Sequence, residues 1–264
     1  MIVRAGNQVP LFTMYTLKKA LGQHFLKDQA VINRILDALM ADSFERLLEV
    51  GPGGGALTAA LLQLPSVDFK AVEVDTEKVN YLQTTYPSIT SKLIQGSILD
   101  IDCPFAEPFT VIGNFPYNIS SQILFKILEW RDHVPVVIGM FQKEVAERAA
   151  SKEGSKVYGV LSALVQADYD VTRLFDVPPD AFRPPPKVMS AVIRLSRRQT
   201  ELPYRSRKVY HQLVKQAFGQ RRKTLRNAVR GLFDAEVLQD PLFDRRAETL
   251  SIAEFAALTH RMKA

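Results

Sequence analysis

Asn114-Phe115-Pro116-Tyr117, within Gly113-Asn114-Phe115-Pro116-Tyr117-Asn118-Ile119-Ser120, sets an amide, a proline and an aromatic side by side. Such residues build a planar pocket. The Asn114 side-chain oxygen accepts a hydrogen bond. Pro116 has no N–H and biases Phe115 towards an extended backbone, so the carbonyls ahead of the proline can also face a ligand. Tyr117 offers a flat face for stacking. The set suits a planar amino group, such as the exocyclic nitrogen of a nucleobase. An ordinary proline turn with a core tyrosine accounts for the same residues about equally well, because short motifs recur by chance.

Two elements must position this stretch. The apolar run Phe109-Thr110-Val111-Ile112 precedes it and a helical run from Ser121 to Trp130 follows. It is therefore a strand-to-helix loop at the carboxyl end of a sheet strand, where open α/β folds place ligands. A second loop of this kind lies upstream. Arg46-Leu47-Leu48-Glu49-Val50 reads as a buried strand, Gly51-Pro52-Gly53-Gly54-Gly55 follows, and a helix runs from Ala56 to Leu64. That order brings backbone close to a ligand at a helix N-terminus. Pro52 and the consecutive glycines depart from the dinucleotide fingerprint, and structural turns also use glycine. The next strand, Phe69 to Asp75, carries Glu73, 22 residues beyond Gly51. An acidic residue near that distance meets ribose hydroxyls in this class of fold; a solvated carboxylate at a strand end is the plain alternative.

The other segments frame these loops. Lys18 to Leu26 is a basic, glycine-containing lead-in, and Asp28 suits the N-cap of a helix through Val31, Ile32, Ile35, Leu36 and Leu39. A helix from Glu77 to Tyr86, a strand from Lys92 to Gln95 and the turn Gly96-Ser97 follow. Pro135 to Phe141 reads as a central parallel strand. Helices are expected over Glu144 to Ala150 and Val157 to Ala167, then a closing antiparallel pair, Tyr169 to Val177 and Val188 to Leu195. Five prolines between Val177 and Lys187 stiffen the loop that carries Phe182 and Arg183; a proline-rich linker is the bland alternative. From Pro203 to Phe233 there are nine Lys/Arg and no Asp or Glu, with apolar residues at helical spacing. Gln220 to Asn227 is the densest basic run. A solvated face is the usual meaning of charge, but nine like charges without an acid favour nucleic acid. The tail after Asp234 reads as helical and mixed in charge.

Composition bounds the answer. The chain has 264 residues, 47% hydrophobic and 23% charged, with net charge +6. That is globular, long enough for one large and one small domain, and permits a nucleic-acid partner. A single cysteine, Cys103, excludes an intramolecular disulfide and a cysteine-based zinc cluster. No apolar run approaches the ~20 residues of a membrane span. The first 15 residues read as a flexible leader without a signal-peptide core. A cytoplasmic protein without a metal is expected.

Taken together and in order, Gly22-Gln23-His24-Phe25-Leu26, Glu49-Val50-Gly51-Pro52-Gly53, the Asn114 loop, Val177 to Val188 and Phe218 to Asn227 resemble the small-subunit ribosomal RNA adenine dimethyltransferases. The likeness runs from about Lys18 to the C-terminus. The Phe-Arg-Pro-Pro-Pro-Lys-Val and Gln-Arg-Arg-Lys-Thr-Leu-Arg blocks favour this branch over the large-subunit rRNA adenine methyltransferases, and over DNA adenine or protein glutamine methyltransferases with similar pockets. The resemblance implies an α/β fold: a Rossmann-like, seven-stranded class I methyltransferase domain over 16–198 and a small all-helical RNA-binding domain over 199–264. It implies S-adenosylmethionine as donor. The substrate would be two adjacent adenosines in the 3′-terminal hairpin loop of small-subunit rRNA, each methylated twice at N6, and the protein a monomer meeting the immature small subunit. An assembly factor acting mainly by RNA binding is the rival of a different class.

By position, the resemblance places His24, Leu26, Gly51, Gly53, Glu73, Ser97 and Asn114 at the donor. It places Asn114, the Phe115 carbonyl, Pro116, Tyr117 and Phe182 at the target base, the two aromatics Tyr117 and Phe182 stacking on it. Arg183, Lys187, Arg221, Arg222, Lys223 and Arg226 would meet RNA. The chain departs from the family where His24 stands for a common Asn, Phe115 for a frequent Leu and Ser97 for a common Asp, with Asp100 as the alternative donor contact.

Overall fold

The computed structural model describes residues 24–263. The expected leader and the lead-in up to Gln23 lie outside the described residues. The chain divides into two compact units, one formed by the segment ending at Ala146 with Thr172–Ser196, the other by Glu147–Val171 with the segment from Arg197. The stretch Glu147–Val171, read from the sequence as part of the methyltransferase domain, thus groups with the C-terminal segment.

The first unit contains β1 (Phe25–Leu26), α1 (Gln29–Leu39), β2 (Arg46–Val50), α2 (Thr58–Leu61), β3 (Asp68–Glu73), α3 (Thr76–Thr85), β4 (Leu93–Gln95), β5 (Thr110–Asn114), α4 (Ser120–Glu129) and β6 (Val136–Gln142). Next come α5 (Lys143–Ala150), α6 (Val160–Asp168), β7 (Tyr169–Val177), β8 (Phe182–Arg183), β9 (Ser190–Arg197), α7 (Arg207–Gly219), α8 (Leu225–Ala228) and α9 (Ile252–Thr259). The main sheet has seven strands in the order β4-β3-β2-β5-β6-β9-β7. Strands β4 to β6 run parallel and β9 pairs antiparallel with β6. The chain builds outwards from β2 to β4, then crosses back to β5. The crevice between the carboxyl ends of β2 and β5 is therefore the topological switch point.

Local sequence explains most of these elements. Asp28 caps α1, its Oδ1 accepting from the N–H groups of Ala30 (2.8 Å) and Val31 (3.2 Å). The central strands are apolar on both faces, as buried parallel strands must be: Leu47, Leu48, Val111, Ile112, Val137 and Ile138 are all buried. At Gly139 a side chain would collide with the Phe115 ring, which packs on Phe141 at 4.8 Å between centroids. The expected helix from Ala56 to Leu64 shrinks to one α-helical turn, Thr58–Leu61. Pro65 ends it, and the glycine turn uses up the residues before it. The helix expected from Val157 begins only at Val160, because Gly159 is extended and its N–H donates to Ser162 Oγ (3.1 Å).

In the second unit α7 buries Tyr210, Leu213, Val214, Ala217 and Phe218. The Tyr210 hydroxyl donates to the Ala163 carbonyl of α6 (3.0 Å). Ser251 and Glu254 form a reciprocal cap on α9. The basic run from Gln220 to Asn227 is not one helix. Helix α7 stops at Gly219 and α8 starts at Leu225, so Arg221, Arg222 and Lys223 sit on the turn between them. Beyond Asp234 the chain is mostly short 3₁₀ turns until α9.

Candidate active site

A cavity of about 260 Å³ opens at the carboxyl ends of β2, β3 and β5, with the turn after β4 and the residues of β1 as further walls. Everything that lines it belongs to the first unit. His24, Leu26, Gly51, Gly53, Glu73, Ser97, Asn114, Phe115, Pro116 and Tyr117 all line it.

Asn114 ends β5. Its Nδ2 donates to the His24 backbone carbonyl (3.1 Å). That bond fixes the amide so that Oδ1 remains an acceptor. Phe115 is buried and its N–H donates to the Met140 carbonyl (3.1 Å), which anchors the loop to β6. Tyr117 is held at its far end by a hydrogen bond to Ser190 Oγ, and burial raises its hydroxyl pKa. The His24 ring lies 5.4 Å from the Tyr117 ring, and its Nδ1 donates to the Pro184 carbonyl (2.9 Å).

The opposite wall is the glycine turn. Gly51 takes φ +68°, a conformation that favours glycine. Glu73, 5% exposed, ties this turn to β3: Oε2 accepts from Gly53 N–H, and Oε1 from the N–H groups of Val74 and Asp75, each at 3.0 Å. A carboxylate offers about four acceptor directions, so Oε2 keeps one for a hydroxyl. Ser97 Oγ accepts from Leu99 N–H (3.2 Å) and retains its O–H as a donor. Asp100, the alternative raised from the sequence, is exposed and does not line the cavity.

Two charged residues of the lining, Glu49 and Lys78, have no role that the sequence alone suggests. Glu49, 1% exposed, accepts from Thr58 Oγ1 (2.8 Å) through Oε2. Burial, and secondarily the nearby Glu73, pushes its pKa up to about 8, against the opposing pull of the Thr58 bond. Its signal is an acid set between Leu48 and Val50 in the buried part of a strand. Lys78 is buried at the start of α3, its ammonium 5.2 Å from the Phe25 ring centroid. From sequence it looks like any solvated helix lysine.

Phe182 departs from the stacking role expected of it. It is 1% exposed, pairs with Leu26 in the β1–β8 ribbon, and packs in the core with Val31, Ile35, Val177 and Ala181. It does not line the cavity, so it offers no face to a base there. The proline loop positions it, but inwards.

The basic residues fall in two places. Arg183 and Lys187 are exposed on the proline loop of the first unit. In the second unit Arg222 and Lys223 are exposed. Arg221 donates to the Lys156 carbonyl and lies 3.9 Å from Glu248, while Arg226 donates to the Leu238 carbonyl (2.9 Å) and pairs with Asp244 (3.0 Å). Among the described residues no cluster of His, Cys, Asp or Glu could hold a metal ion, and no helix is long and apolar enough to cross a membrane.

The profile of the family described as ribosomal RNA adenine dimethylase matches residues 14–263. The chain belongs to this family. It is 48% identical over 250 residues to the "Ribosomal RNA small subunit methyltransferase A" of Cytophaga hutchinsonii, covering 93% of this chain and 96% of that one. It is 47% identical to the protein of the same name from Flavobacterium johnsoniae, covering 94% and 96%. Among solved structures, a dimethyladenosine transferase from Plasmodium falciparum matches with TM-score 0.75 and 24% identity over 88% of this chain and 94% of that one. The 23S rRNA methyltransferase ErmE matches with TM-score 0.69 and 21% identity over 90% and 99%. At those identities the structures share the fold.

Proposed function

We propose that the protein transfers methyl groups from S-adenosylmethionine to N6 of two adjacent adenosines in the 3′-terminal hairpin loop of small-subunit rRNA, two to each, with the immature small subunit as its natural partner in the cytoplasm. The observation that carries this reading is the Asn114 amide, locked by the His24 carbonyl with its oxygen left to accept. The cavity fits the donor on its own chemistry. Glu73 keeps an acceptor for a hydroxyl beside the glycine turn, and the apolar Val74 and Ile98 suit a purine face. Ser97 Oγ accepts from Leu99 N–H and keeps its own O–H to donate, so that end offers a hydroxyl where the family commonly has a carboxylate.

S-adenosylmethionine supplies an electrophilic methyl group on a sulfonium. The rest falls to this chain. An adenine N6 lone pair is delocalised into the ring and is a poor nucleophile. Asn114 Oδ1 and the Phe115 carbonyl accept its two hydrogens, which draws the nitrogen towards a pyramidal form with its lone pair directed outwards. No strong base is required, because the proton leaves after the methyl arrives. Acceleration comes from positioning and from dipoles fixed in advance. Tyr117, braced by Ser190, provides the stacking face. The base must leave its stack to enter, which costs less for a loop adenosine than for a paired one.

The test is mass spectrometry of small-subunit rRNA incubated with protein and donor. The wild-type chain should yield dimethyladenosine at two neighbouring positions. Asn114→Ala should abolish transfer while rRNA affinity stays within about twofold, since phosphate contacts carry most of that affinity. Near wild-type dimethylation by the variant would refute the assignment of Asn114.

A further inference from the structure

In the second unit, the loop from Ser151 to Gly159 joins α5 to α6 and is tied down at several points. Gly154 N–H donates to the Glu248 carbonyl (2.7 Å), and the Arg221 guanidinium donates to the Lys156 carbonyl. The same guanidinium lies 3.9 Å from the Glu248 carboxylate. Tyr158, fully buried, packs edge-on against Phe218 at 5.8 Å between centroids. Within the loop, Ser155 N–H reaches the Lys152 carbonyl (3.3 Å) and Ser155 Oγ accepts from Val157 N–H (3.3 Å). A loop held this way is a rigid platform, and it leaves Lys152 and Lys156 exposed, with one acid, Glu153, between them. Arg221 brings it against the turn that exposes Arg222 and Lys223.

We propose that the Ser151–Gly159 loop is part of the RNA-docking surface, with Lys152 and Lys156 contacting backbone phosphates beside Arg222 and Lys223, and with Arg221 acting as the clamp that positions the loop. This rests on the proposed rRNA substrate. Arg221 and Arg226 are each tied to a carbonyl and a carboxylate of their own unit, so the four cations of the basic run divide into two tied residues, of which Arg221 holds the loop, and two contact residues, Arg222 and Lys223. The loop adds two further cations, which lie more than 60 residues earlier in the chain. Such contacts fix orientation and carry no sequence information.

The experiment measures affinity for an rRNA fragment bearing the 3′-terminal hairpin across a range of salt concentrations. Each phosphate contact contributes a slope of about 0.7 to 0.9 in log–log form. The double variant K152A/K156A should flatten the wild-type slope by roughly 1.5. Adding R221A to that background should change it by less than about 0.3, although R221A alone weakens binding, because coupled residues are not additive. An unchanged slope in K152A/K156A would overturn the proposal. A further flattening of about 0.8 on adding R221A would overturn the clamp and make Arg221 a phosphate contact. Far-UV melting of each variant separates lost contacts from lost folding. A wild-type chain with neither salt-dependent rRNA binding nor methylation would defeat the function itself, a result distinct from either.

Discussion

Glu49→Gln isolates one buried carboxyl. Glu49 lies in the middle of the sheet with its Oε2 on Thr58 Oγ1, and desolvation raises its pKa from 4.5 to about 8. The sign follows from proton counting. Below pH 4.5 both folded and unfolded chains hold the proton, so the group is neutral to stability. Between 4.5 and about 8 the unfolded chain has released it while the folded chain keeps it, so stability falls as pH rises. At 1.36 kcal/mol per pH unit, the gap from 4.5 to about 8 amounts to at most roughly 5 kcal/mol of lost stability. Glutamine keeps an oxygen for Thr58 and cannot ionise. The variant should therefore gain on the wild type by about 1.4 kcal/mol for each pH unit between 5 and 8. Urea unfolding followed by fluorescence of the single tryptophan, Trp130, reads this in the first unit. Other titrating groups cancel in the difference between the two proteins. A stability difference that does not vary with pH would show that Glu49 is ionised in the folded chain and would refute the reasoning.

Glu73→Ala should weaken donor binding by roughly 1.5–3 kcal/mol, the scale of hydrogen bonds to a charged group, because it removes the hydroxyl acceptor and frees the glycine turn; calorimetry showing unchanged affinity would remove Glu73 from the site. Phe182→Ala should cost ~3–5 kcal/mol of stability, as for other buried aromatics, while turnover of the folded fraction at low temperature stays near wild type. A stable Phe182→Ala protein with lost turnover would instead restore the stacking role that its burial argues against.

Much of the first unit was legible because its signals are local. Short apolar runs closed by glycine or proline mark β2, β5 and β6, and Asp28 caps a helix from two and three residues away. The order of those segments sufficed to bring the Gly51 and Asn114 loops to one end of a sheet. What the sequence could not express was the partner each side chain would find at long range. Phe182 sits in the same proline-rich loop as the exposed Arg183, and nothing local separates an inward from an outward aromatic. Pairing with Leu26, 156 positions earlier, decides it. The basic run shows its charge openly, yet Arg226 is committed by Asp244 and Arg221 by the Lys156 carbonyl and Glu248. Glu49 reads as one acid among aliphatics; only enclosure by the folded sheet withdraws water and holds its proton. Residue type and local spacing determined the elements and the chemistry available to them. Burial and distant partners, properties of the closed tertiary structure, decided which of those groups face a ligand and which hold the protein together.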